Sequence, residues 1–145
     1  MAISHKINWP YLIIAYFSLF SFGLIENGKG PAYPEILSFF SIAPMKGALL
    51  FTLASVASLI TTLTSSYWLY KFNTLRSLQY FSFIFFVGTL FMGLMPFYSK
   101  SYLLFLFGVF FSGLAAGALG ICMNLMVPES VPPHYHRRAF AGLHS

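Results

Sequence analysis

Three long apolar stretches without charged residues dominate the hydrophobic pattern of the chain. They cover residues 47–70, 78–98 and 102–127, and each is bounded by bases, prolines or polar turns. A helix rises about 1.5 Å per residue, so about 20 apolar residues cross the roughly 30 Å of bilayer hydrocarbon. The short alternating segments typical of a membrane β-barrel do not occur. The pattern therefore predicts three membrane-spanning helices.

A polar run interrupts a fourth apolar stretch near the start of the chain. Residues 11–25 are apolar but give only about 22 Å of helix, and Glu26-Asn27-Gly28-Lys29-Gly30-Pro31 follows. The helix either ends near Ile25, or continues as a long, kinked and tilted span. A cleaved signal peptide is a third alternative, but no small-x-small cleavage site lies near Gly23. We favour one span over residues 11–37, because the shorter helix would not cross the bilayer. The prediction is an all-α membrane bundle of four helices.

The composition excludes most soluble classes of protein. Of the 145 residues, 58% are hydrophobic and 8% are charged, whereas soluble domains have about 45–50% and about 25%. The eight bases are scattered, so the net charge of +5 does not indicate a nucleic-acid partner. His134 and His136 lack a supporting carboxylate, and no catalytic or phosphate-binding motif is present. We expect no enzyme activity, no cofactor and no metal.

The distribution of bases predicts the orientation in the membrane. With four spans, five bases lie on one side of the bilayer: Lys6, Lys71, Arg76, Arg137 and Arg138. Lys46 and Lys100 lie on the other side, so the positive-inside rule places both termini and the tail 128–145 in the cytoplasm. Six aromatic residues fall near predicted span ends, where such rings anchor at the headgroups: Trp9, Tyr11, Trp68, Tyr70, Tyr98 and Tyr102. The chain is predicted to be a multi-pass protein of the cell membrane, the inner membrane in a bacterium.

Small and polar residues form stripes on two of the predicted helices. A stripe about 60° wide on the fourth span contains Gly113, Gly117, Gly120 and Asn124. A stripe about 80° wide on the second span contains Ser55, Ser58, Thr62 and Ser65. We expect packing seams here, because small residues let membrane helices approach closely. Alternatively, the Asn124 end borders a water-filled path, since a carboxamide facing lipid would be unpaired.

The polar run of the first span contains the strongest functional candidates. In a continuous helix, Glu26 and Lys29 lie three residues apart and can form an ion pair. Pro31 and Pro34 would leave two backbone carbonyls of the preceding turn without hydrogen bonds. Ionisable groups at membrane depth are candidates for a solute or ion path. The candidate path residues are Glu26, Asn27, Lys29, Tyr33 and Asn124, with Glu26 a candidate proton carrier. A structural ion pair and an exposed loop remain the alternatives.

The order of these features resembles the start of a major facilitator superfamily transporter. Phe22-Gly23 followed by Gly30-Pro31-x-x-Pro34 is similar to the first helix of that family, which lines the central cavity. The connection between the second and third spans resembles the family's cytoplasmic signature loop. In it, Ser66 and Asn73 stand for glycines, Tyr70 stands for the acid, and Lys71 and Arg76 supply positive charge. The glycine-rich fourth span, followed by Val127-Pro128-Glu129 and then Arg137-Arg138, is similar to the fourth helix and its exit loop.

This resemblance implies secondary active transport of a small solute by alternating access. The family has two six-helix halves with a site between them, so the chain would be an N-terminal fragment holding the first four helices. The implied partners are the lipid bilayer, the solute, a coupling proton or sodium, and the missing C-terminal helices. Two alternatives remain open: a homodimeric exporter of the small multidrug type, made with a second copy of this chain, and a non-transporting membrane subunit.

Overall fold

The chain folds as a helical bundle, seen in a computed structural model that describes residues 7–144. Lys6 and Ser145, at the two ends of the predicted topology, lie outside these residues. No strand occurs in the described part of the chain, which confirms the all-α prediction. The helices are α1 (Trp9–Phe40), α2 (Pro44–Gly47), α3 (Leu49–Leu63), α4 (Ser65–Lys71), α5 (Thr74–Tyr98), α6 (Tyr102–Ser130) and α7 (His136–His144), with a 3₁₀ turn at Pro133–Tyr135.

Four stretches within residues 7–144 are long and apolar enough to cross a membrane. They are α1, the pair α2–α3 over Pro44–Leu63, α5 and α6. The predicted second span 47–70 is divided by turns at Ala48 and Thr64, between α2, α3 and α4. The predicted fourth span ends at residue 127, and α6 continues three residues further through Pro128.

Helix α1 continues without a break through the polar run of the first span. It begins after Asn8, whose side chain accepts a hydrogen bond from the Tyr11 amide at 3.4 Å. It contains Pro31 and Pro34 and ends at Ser41, which adopts the left-handed conformation with φ 52°. The alternative in which the helix ends near Ile25 is wrong. The 32 residues of α1 give about 48 Å of helix, which is longer than the hydrocarbon layer of the bilayer is thick.

Helix α6 is the centre of the bundle and packs against α1, α3 and α5. In the most apolar segment of α6, 50% of the residues are buried, whereas in that of α1 only 6% are buried. The main core cluster includes a row of α6 side chains at helical spacing: Leu119, Cys122, Met123, Met126 and Val127. The peripheral helices leave most of their apolar surface uncovered, as expected where lipid tails replace water as the solvent.

Trp68 belongs to this core and not to an interfacial ring of aromatics. Its side chain is only 7% exposed, and its indole N–H donates to the Thr61 carbonyl at 3.0 Å. Its ring contacts that of Phe81 with centroids 5.0 Å apart. The expectation that Trp68 anchors at the lipid headgroups is therefore wrong, because helix packing covers the ring.

The glycine stripe of α6 forms a packing seam over part of its length. A Cβ added at Gly113 would lie 2.7 Å from the Ala54 carbonyl oxygen, and one at Gly117 would lie 2.4 Å from that of Ser58. These glycines let the backbones of α3 and α6 touch. At Gly120 an added Cβ meets no atom within 4 Å. The structure therefore places Gly120 outside the part of the stripe that contacts α3.

Candidate functional site: a cleft beside Glu26

An open cleft with a volume of about 420 Å³ lies between α1, α3 and α6. Helix α1 contributes Phe22 and Glu26, which lie one turn apart and so share a face. The remaining lining residues come from α3 and α6: Ala54, Ser55, Ser58, Leu59, Thr62, Gly113 and Ala116. A carboxylate and three hydroxyl-bearing side chains thus line the same cavity.

The polar stripe of α3 lines this cleft along one edge of its seam with α6. Ser55 and Thr62 are exposed and line the cavity, whereas the adjacent Ala57 and Thr61 are buried. Ser58 lies between the two groups, since it both lines the cleft and contacts Gly117. The structure thus places Ser55 and Thr62 beside the seam and not in it. Which residues of the stripe enter the seam depends on the rotation of α3 about its axis.

Glu26 and Lys29 form the ion pair predicted from their spacing. The Lys29 ammonium donates to Oε1 of Glu26. The Lys29 side chain is 11% exposed and the Glu26 side chain is 31% exposed. Pairing neutralises the net charge of the cluster, which lowers the cost of placing it among apolar helices. Within residues 7–144 no hydrogen bond involves the second carboxylate oxygen, Oε2.

Of the five predicted path residues, Glu26 lines the cleft, and Asn27, Lys29, Tyr33 and Asn124 do not. Asn27 is exposed and donates to the Gly23 carbonyl of its own helix at 2.8 Å. The Tyr33 hydroxyl donates to the Pro44 carbonyl at 2.8 Å, so this side chain connects α1 to α2. The structure brings together Glu26 and Lys29, but not the remaining three candidates.

Asn124 also finds its hydrogen-bond partner within its own helix. The side chain is exposed, and its amide donates to the Gly120 carbonyl at 2.9 Å. This bond pairs one N–H of the amide, and within residues 7–144 the carbonyl oxygen of the Asn124 side chain has no hydrogen-bond partner. The expectation that Asn124 faces protein or water therefore stays a prediction.

The residues that resemble the family's signature loop lie in α4 and at the start of α5. Ser66, Tyr70 and Lys71 are exposed on α4. Asn73 caps α5 by accepting a hydrogen bond from the Arg76 amide at 2.8 Å. No residue of this signature forms an ion pair within the described range. At the start of α5, the contact with α6 is instead a hydrogen bond from an uncharged donor. The Thr74 hydroxyl donates to the Glu129 carboxylate at 2.8 Å.

Sequence reasoning missed three residues of the cleft, Ala54, Leu59 and Ala116, and it named Phe22 only through the resemblance. Phe22 lies four residues before Glu26, and Ala116 lies three residues after Gly113. The helical spacing could have placed each beside a residue already chosen. Helical spacing could not have shown that these faces of α1, α3 and α6 meet around one cavity.

A comparison with family models decides the class of this protein. The model described as "Sugar (and other) transporter" matches residues 7–145. The chain belongs to this family. The match confirms the resemblance to the major facilitator superfamily and identifies a family of membrane transporters. No curated protein and no solved structure gave a match. In this member of the sugar (and other) transporter family, the cleft lies along the first, second and fourth predicted spans.

Proposed function

We propose that this chain forms part of the solute path of a secondary active transporter, and that Glu26 contacts the solute in the cleft. The observation that carries the proposal is the convergence of Glu26, Ser55, Ser58 and Thr62 on one cavity. Its volume of about 420 Å³ falls within the range of about 300–1,000 Å³ typical of small-molecule sites.

The chemistry of the cleft suits a small polyhydroxylated solute, in agreement with the sugars named in the family description. The carboxylate of Glu26 accepts hydrogen bonds from solute hydroxyls, and serine and threonine hydroxyls can both donate and accept. The ring of Phe22 offers an apolar surface for the C–H face of a sugar. Lys29 holds one carboxylate oxygen and leaves the other available to the solute.

The proposal also includes the coupling of solute transport to the movement of an ion. Glu26 is the single carboxylate among the lining residues, so a coupling proton or sodium ion would meet this group. The first four helices would then supply one wall of the path, and the helices of the C-terminal half would cover the open side. Rocking of the two halves about this site would give alternating access.

Uptake measurements on a full-length active transporter that contains this sequence test the role of Glu26. Glu26→Gln keeps the shape of the side chain but removes its negative charge, so we expect at least about a tenfold loss of labelled hexose uptake, the effect of losing a charged hydrogen bond. The amount of protein in the membrane is measured in parallel by immunoblotting.

Glu35→Gln is the matched control. Glu35 lies on the same helix, is exposed and does not line the cleft, so its substitution should leave uptake unchanged. Unchanged uptake in Glu26→Gln, or an equal loss in Glu35→Gln at equal protein levels, would refute the proposed role of Glu26.

A further inference from the structure

The two members of the Glu26–Lys29 pair occupy different positions relative to the cleft. Glu26 lines the cavity, whereas Lys29 is not one of its lining residues. The Lys29 side chain is 11% exposed, and its ammonium donates to Oε1 of Glu26. Lys29 can therefore act on a bound solute through the charge that it places beside Glu26, without contacting the solute.

The pairing of these two charges depends on one turn of α1 and not on the packing of other helices. Residues three apart on a helix are adjacent, so the ammonium lies beside the carboxylate whichever helices border the open side of the cleft. The pair carries one positive and one negative charge. The carboxylate that lines the cavity is thus neutralised by a cation outside the cavity.

The other charged side chains on the helices around the cleft lie far from Glu26. Helix α3 contains no charged residue. On α1, Glu35 lies nine residues after Glu26, about 14 Å along the helix axis. On α6, Glu129 lies 13 residues after the lining residue Ala116, about 20 Å along that axis. Among the charged residues of α1, α3 and α6, Lys29 is therefore the one close enough to change the net charge beside the cavity.

The net charge of the pair affects which solutes the cleft can hold. Two unit charges interact several times more strongly near a protein surface than in bulk water. An ammonium group beside the free Oε2 of Glu26 would be attracted by the carboxylate and repelled by Lys29, so the two effects largely cancel. The cost of removing such a cation from water is then not offset. A solute hydroxyl carries no charge and can still donate to Oε2.

We propose that Lys29 determines the charge selectivity of the cleft and makes it select neutral polyhydroxylated solutes over cationic ones. This selectivity rests on the proposed function, because the cleft must be the solute site. Lys29 acts through Glu26 and sets specificity without touching the solute. Removal of its charge should leave a cavity with a net negative charge, which attracts cations.

Competition for uptake by a full-length active transporter that contains this sequence can test the selectivity. Labelled glucose is the transported probe. Unlabelled glucose and glucosamine are the competitors at neutral pH, where most of the glucosamine amine is protonated. The measured quantity is the ratio of the two competitor concentrations that halve the uptake, which is independent of the amount of protein in the membrane. In Lys29→Met this ratio should shift in favour of glucosamine by at least about tenfold.

A neutral competitor and two further variants separate the effect of charge from other effects. The amide of N-acetylglucosamine is uncharged, so Lys29→Met should leave its competition relative to glucose unchanged. Lys29→Arg retains the positive charge and should keep the native ratio for glucosamine. Lys46→Met removes a lysine that is exposed on α2 and does not line the cleft, so it should also keep the native ratio.

The role of Lys29 and the proposed function can fail separately. Unchanged uptake in Glu26→Gln refutes the role of Glu26 and, with it, that of Lys29. Loss of uptake in Glu26→Gln, together with an unchanged glucosamine ratio in Lys29→Met, refutes the role of Lys29 alone. That role is also overturned if Lys29→Met improves competition by N-acetylglucosamine as much as by glucosamine, or if Lys29→Arg or Lys46→Met produces the same shift.

Discussion

The Thr74 hydroxyl donates a hydrogen bond of 2.8 Å to the Glu129 carboxylate and thereby joins the first turn of α5 to the last turn of α6. Thr74 is 8% exposed and Glu129 is exposed, so the bond is partly buried. At this position an uncharged donor, and not a second ion, ties two neighbouring helices together. The contact therefore keeps α5 and α6 together without adding a charge that would have to be neutralised.

Substitution of Thr74 by valine should weaken the junction of α5 with α6. Valine preserves the shape of the side chain but cannot donate to Glu129, and the loss of a partly buried hydrogen bond to a carboxylate costs about 1–2 kcal/mol. We expect a lower melting temperature in detergent, measured by circular dichroism. Thr52→Val is the control, because the exposed Thr52 hydroxyl donates only to the Ala48 carbonyl at the start of its own helix. Equal melting temperatures for both variants would contradict the prediction.

A side chain at position 117 should destabilise the protein, because α6 contacts the backbone of α3 there. In Gly117→Ala the new Cβ would lie 2.4 Å from the Ser58 carbonyl oxygen, so the backbones must separate. Overpacking of this kind costs about 1–3 kcal/mol, which a thermal melt in detergent detects.

Gly120→Ala is the matched control for Gly117→Ala. It makes the same chemical change one turn away in open space and should melt like the native chain. If both variants melt alike, the close contact at Gly117 is absent in the folded protein.

The Glu26–Lys29 pair should be more sensitive to the loss of one partner than to the loss of both. Lys29→Met leaves the Glu26 carboxylate without its cation at membrane depth. The double variant Glu26→Gln/Lys29→Met leaves no charge and should be the more stable of the two. The penalty of the single variant should be below the about 3–5 kcal/mol of a fully buried pair, because the Glu26 side chain remains 31% exposed.

A double-mutant cycle on melting temperature measures this coupling. Lys46→Met serves as a control for the change from lysine to methionine, since Lys46 is exposed and has no ion-pair partner in the described chain. A double variant less stable than Lys29→Met alone would contradict the predicted cost of an unpaired carboxylate.

The sequence by itself determined the number of spans and the local pair within the first. Lipid is the solvent around these helices, so a span is recognised from its own length and apolarity, without knowledge of its neighbours. The pairing of Glu26 with Lys29 also follows from the backbone, because residues three apart on a helix are adjacent whatever surrounds them. Continuation of α1 past Ile25 was predictable for a similar reason, since a shorter helix would not reach across the bilayer.

Only the tertiary structure decided which of several equivalent small or polar residues face a neighbouring helix. Gly117 and Gly120 are equally suited to close packing, yet one touches Ser58 and the other meets open space. Ser55 belongs to a cleft and Trp68 to the core, although their sequence contexts favoured other roles. The physical reason is that the rotation and crossing of helices depend on contacts between residues far apart in the chain, and helical periodicity defines faces without defining what each face meets.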